Sequence, residues 1–125
     1  MQLTGRTILL GALSVAGAAC TWYFNIRFAL DAGGAFSLAS FVRDGFVNPA
    51  AASLASDVSI AAIVFLVWLP LEAHRLAMRS WWVYALLTVC VAFACAFPLF
   101  LLMRERRLRQ IRTSGRRCAE AAAAY

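Results

Sequence analysis

Few side chains in this sequence could do chemistry, and its acids are the most informative of them. Asp57 stands inside a long apolar run that Glu72, His74 and Arg75 close. The uninterrupted part of that run, Val58 to Leu71, is shorter than the roughly 20 residues a bilayer core requires, so a spanning helix must also take in Ala50 to Ser56. Asp57 then falls inside the membrane. At about 1.5 Å per residue it lies about 22 Å from Glu72, and roughly 8 Å beneath the opposite boundary of a core about 30 Å thick. A carboxylate at that depth costs roughly 2.5 to 3.5 kcal/mol on insertion scales and faces a bundle interior or a wet cavity. It needs a partner, and Asn25, Arg27 and Arg104 are the candidates whose side chains donate to it. Asn48 belongs to the same layer.

This layer has two readings. In the first, Asp57 pins helices together through hydrogen bonds. In the second, Asp57, Asn25, Arg27, Asn48 and Arg104 line a ligand-binding pocket, open to the cytoplasmic side, for a small molecule, a lipid headgroup or a proton. Glu72 is too far from Asp57 to form the few-ångström pair of carboxylates that acid–base catalysis uses. With Arg75 three residues on, it reads as a boundary salt bridge. No nucleophile stands at readable spacing from a base, and there is no glycine-rich phosphate loop or haem-type histidine pair, so no catalytic residues are assigned. Cys20, Cys90, Cys95 and Cys118 form no CxxC, and His74 is the single histidine. Neither a metal site, a cofactor nor a disulfide framework is indicated.

The elements that must position these residues follow from composition. The 125 residues are 63% hydrophobic and 14% charged, which excludes a water-soluble domain. Three apolar blocks approach spanning length, at about 7–26, 49–71 and 81–103. The first is rich in small residues, with Gly11, Ser14 and Ala18 on one face for close helix packing. Arg6 and the Gly17-Ala18-Ala19-Cys20 run also imitate a signal peptide, but Trp22, Tyr23 and Phe24 read as the aromatic belt of a retained helix. Asn48-Pro49 is a helix start. Trp81 and Trp82 open the third block, where Thr88, Ala92 and Ala96 offer a packing face to the first helix and Pro98 loosens the end. Between the first two blocks, about 36–47, Leu38, Phe41, Val42 and Phe46 share one face of a short interfacial helix.

The expected fold is therefore all-α. Residues 1–108 form an integral membrane three-helix bundle with a short amphipathic interfacial helix between helices one and two. A basic and then Ala-rich cytoplasmic tail follows over 109–125. Of 12 arginines, with no lysine, seven lie from Arg104 to Arg117. With three spans these share a side with Arg27 and Arg43, against Arg6, Arg75 and Arg79 on the other. The positive-inside rule then places the C-terminus in the cytoplasm of a bacterial inner membrane and the N-terminus outside. The tail is expected to bind anionic headgroups. Nucleic acid is not an expected partner, because no aromatic residues interleave with the arginines.

Asn48-Pro49, Asp57, Glu72 with Arg75, Trp81-Trp82, and Pro98-Leu99-Phe100-Leu101 before Arg104-Glu105-Arg106 together carry a resemblance. Over about Thr7 to Leu108 the pattern resembles a bacterial family of roughly hundred-residue multi-span membrane proteins catalogued as a domain of unknown function. The resemblance implies a small helical membrane protein and supplies no activity. The function expected is that of an interaction or accessory subunit, self-associating or joining a larger membrane complex. The alternative is a small-molecule, lipid or proton binding or transport protein that uses Asp57.

Overall fold

The structure, a computed structural model, describes residues 5–34 and 36–123. These form five helices and no strand: α1 (Gly5–Asp31), α2 (Leu38–Gly45), α3 (Pro49–Arg75), α4 (Trp81–Cys90) and α5 (Phe93–Ala123). Among them α1 and α3, each 27 residues, are long and apolar enough to cross a membrane.

Local chemistry explains the first three. The α1 helix stops where Gly33 and Gly34 adopt φ of +76° and +87°. There Gly34 N–H bonds the Ala29 carbonyl and Gly33 N–H that of Leu30, a reversal that glycine makes without steric cost. The short α2, capped by the Ser37 hydroxyl, is present where residues 36–47 read as a helix, and it begins and ends slightly inside that range. It is tied to the end of α1 by Phe28, Phe36 and Phe41, whose ring centroids lie 5.4 to 6.0 Å apart. Asn48 caps α3 as expected, its Oδ1 accepting from Ala51 N–H at 2.8 Å, with Pro49 in the first turn.

The third apolar block is where expectation and structure part. Residues 81–103 do not form one span, so the bundle is not three straight helices. The chain breaks at Val91 and Ala92 and folds back, placing Tyr84 of α4 against Phe100 of α5 with centroids 5.4 Å apart. At 10 residues, α4 is about 15 Å long, half of what a crossing of a bilayer core needs. The physical reason is tertiary, because no glycine or proline stands at the break. Folding back seats Ala96 and Phe100, both fully buried, among Phe65, Leu69, Ala73 and Tyr84, and a straight helix would have carried Ala96 and Phe100 away from Tyr84.

The α5 helix is the centre of the molecule. It runs parallel to α3, as the pairs Phe65–Phe97, Trp68–Phe100 and Glu72–Arg104 show. It is antiparallel to α1, where Gly17 lies on Ala94, Ser14 on Cys95 and Gly11 near Leu102. The small-residue face of α1 thus meets Ala94 and Cys95, not Thr88, Ala92 and Ala96 as expected. A Cβ on Gly17 would sit 2.5 Å from the Ala94 carbonyl oxygen. That carbonyl is the one that Pro98, lacking an N–H, leaves without its helical partner. The beginning of α1 and the arginine-rich part of α5 therefore share one end of the molecule, whereas three straight spans would have set them on opposite sides.

Candidate functional site

The layer expected around Asp57 is divided by this fold. Asp57 sits on the ninth residue of α3, exposed, and makes no hydrogen bond or ion pair among the described residues. Asn48 serves as the α3 cap. Asn25, half-buried, and Arg27, exposed, belong to the α2 half of α1, and no hydrogen bond joins either side chain to Asp57. Arg104 is far away, at the other end of α3. Four residues of the layer thus share an end of the molecule with no hydrogen bond or ion pair between their side chains, and the fifth is engaged elsewhere.

Arg104 is engaged with Glu72. The Glu72 side chain is buried, and its Oε1 accepts from Arg104 Nε at 2.6 Å. Its Oε2 lies 3.6 Å from Arg75 Nη1, so the salt bridge read from the i, i+3 spacing is present as the weaker arm of a three-residue cluster. A carboxylate held by one direct charge-assisted bond and a second cation is compensated for its burial. Arg107, one turn beyond Arg104, donates from Nε to the Leu76 carbonyl at 3.1 Å. Two arginines of α5 therefore sit on the C-terminal end of α3, where carbonyls lack helical partners and the helix dipole is negative.

The turn after α3 completes this end. Met78 N–H bonds the Ala73 carbonyl and Ala77 N–H that of His74, with Ala77 at φ +51°, in the left-handed region that favours glycine. The indole of Trp81 lies 6.3 Å from the His74 ring. Reading the sequence found Glu72 and Arg104 as separate features and missed their pairing. The available signal was charge. Returning Arg104 to the Glu72 end gathers Arg6, Arg75, Arg79 and the seven tail arginines on one side, leaving only Arg27 and Arg43 on the other. That asymmetry is steeper than three straight spans produce.

No group of three or more His, Cys, Asp or Glu side chains able to hold a metal occurs among the described residues. The four cysteines are free, with Cys95 half-buried and its Sγ 3.4 Å from Ser14 Oγ. The same hydroxyl donates to the Cys95 carbonyl at 2.9 Å, one of the few side-chain bonds that join two helices here.

Fold and composition define a small all-helical protein with two helices apolar enough to cross a membrane. The chain belongs to the family described as Protein of unknown function DUF2834, whose model matches residues 9–106. No curated protein matches the chain, and no solved structure does.

Proposed function

We propose that this chain is a multi-pass protein of the bacterial inner membrane that works as an interaction or accessory subunit, through contacts with a second copy or with a larger membrane complex. The observation that carries this reading is Asp57. An intramembrane carboxylate needs a partner, and within the described chain Asp57 has none. Its neighbourhood is equally unfilled. The α4–α5 hairpin reaches only as far as Val91 and Ala92, so the α2 half of α1 and α3 presents Trp22, Phe24, Leu54, Val58 and Ile60 as exposed apolar surface. Three further points support the remaining features of the proposal. The positive-inside rule assigns the arginine-rich end, with both Arg6 and the tail, to the cytoplasm, in place of the outward N-terminus that three spans imply. The close fit of Gly17 on Ala94 supports a retained α1. The tail arginines supply contact with anionic headgroups.

The test is the size of the assembly extracted in mild detergent. Wild-type protein is expected to migrate as more than one chain, or with other membrane proteins, and Asp57→Ala is expected to reduce that size while leaving the chain folded. A wild-type monomer that runs identically to Asp57→Ala defeats the proposal.

A further inference from the structure

One stripe along α5 changes character at Leu101. On one side of that residue, Phe93 and Phe97 of α5 and Phe65 and Trp68 of α3 border an entirely apolar groove of about 570 Å³, which Leu101 also lines. On the other side, Leu101 lines a polar cavity of about 200 Å³ between α5 and the start of α1, with Arg6, Arg104, Glu105, Arg109 and Arg112 around it. Four guanidinium groups face one carboxylate there. Arg104 is committed to Glu72 and Arg109 to Glu105 at 2.8 Å. Arg6 and Arg112 have no ion pair among the described residues. The second oxygen of Glu105, Oε2, is buried and has no hydrogen-bond partner there.

The two spaces together describe one kind of ligand. Excess guanidinium matches a phosphate, to which arginine presents parallel donors. Glu105 is paired with Arg109 and its Oε2 is shielded from solvent, so Arg6 and Arg112 carry the positive charge that has no ion pair among the described residues. The apolar groove begins one residue's width away and runs about 12 Å from Leu101 to Phe93, parallel to helices apolar enough to cross a membrane. The cavity begins at the level of Glu72, where the apolar run of α3 ends, and continues past it to Arg112, which suits a phosphate just outside a hydrocarbon core. We infer that α5, α1 and α3 form a binding site for one anionic phospholipid, its phosphate between Arg6 and Arg112 and an acyl chain along Phe97 and Phe93. This sharpens the diffuse tail–headgroup contact proposed above, and it rests on the membrane reading but not on assembly through Asp57.

Native mass spectrometry of the full chain in detergent tests it, with phosphatidylglycerol and phosphatidylcholine of identical acyl chains as the probes. One phosphatidylglycerol is expected to stay bound per chain, with at least about a tenfold preference over phosphatidylcholine, equivalent to about 1.4 kcal/mol. The double variant Arg6→Gln, Arg112→Gln is expected to lose that preference. Ala61→Trp fills the groove that Ala61 also lines and leaves every arginine in place. It is expected to weaken binding of both lipids, so the result does not depend on the arginine variant folding. Equal retention of the two lipids by wild type overturns the inference, as does unchanged preference in the arginine variant. Displacement of the lipid by equimolar inorganic phosphate, with Ala61→Trp binding as wild type does, also overturns it, because the cavity then takes a free anion and the groove no chain. Carbonate extraction of the same proteins reports separately on the membrane reading.

Discussion

At the arginine-rich end of the molecule Glu72 is buried against Arg104 and Arg75, whereas at the α2 end Asp57 is exposed and without a partner among the described residues. Both acids belong to α3, and a reading by helix and depth alone treats Asp57 as the residue that organises its neighbours. The difference between the two ends is one helical hairpin. Where α4 and α5 fold in, α3 contributes Phe65, Leu69 and Ala73 to a packed core and its acid acquires a cation. Where they do not reach, α3 keeps its side chains facing outward. Chemistry that the sequence places in one layer is thus distributed by how far a neighbour extends.

The comparison is broken most severely by removing the paired acid. Glu72→Ala leaves Arg104 without its partner beside a buried gap, and a loss of about 1 to 3 kcal/mol is expected, since Arg104 is only partly open to water that could replace the lost bond. Unfolding titrations in mixed micelles measure it. Glu72→Leu with Arg104→Leu is expected to recover a large part of that loss, because two apolar side chains of similar volume need no compensation. The α1–α5 seam is the next contrast. Gly17→Ala drives a methyl group into the Ala94 carbonyl, and about 1 to 3 kcal/mol of destabilisation is expected from overpacking. The same titration, with Gly45→Ala as the control, checks it, because a Cβ on Gly45 meets only Ala55 at 4.0 Å.

A change in the opposite direction is available beside Glu72. Ala77 holds a left-handed conformation in the turn that caps α3, and Ala77→Gly is expected to raise stability by about 1 kcal/mol through relief of that strain. A lower melting temperature would show that the turn is set by something other than its backbone. The smallest effect belongs to Asp57. Asp57→Asn is expected to change the stability of the isolated chain by less than about 0.5 kcal/mol, since its side chain makes no hydrogen bond or ion pair among the described residues. A large loss would mean that Asp57 is an intrachain pin, and the contrast between the two ends of α3 would fall.

Much of the local structure was legible in the residues. The Asn48-Pro49 start and the shared face of Leu38, Phe41, Val42 and Phe46 in the short helix between the first two apolar blocks are short-range chemistry, decided within a turn or two of helix. The Glu72–Arg75 pair was legible for the same reason. The division of residues 81–103 was not, because Cys90, Val91 and Ala92 carry no helix-breaking signal. An apolar run of 23 residues reads equally as one crossing helix or as two that fold together. The Glu72–Arg104 pair depends on that division and was hidden with it. Their 32-residue separation has no local signature, and the total of arginines on each side was the one trace it left.

What the sequence determined by itself is the chain's helical character, its two crossing-length helices and the ends of the segments that local caps define. Propensity, capping and apolar length act over a few residues, so they are written in neighbouring letters. Only the tertiary structure decided that the third apolar block turns back, that Arg104 meets Glu72, and that Asp57 is left facing outward. These outcomes hang on which buried surfaces fit, Phe100 and Ala96 against Leu69 and Tyr84, and Gly17 against Ala94. Such fits exist only once distant parts of the chain are brought together.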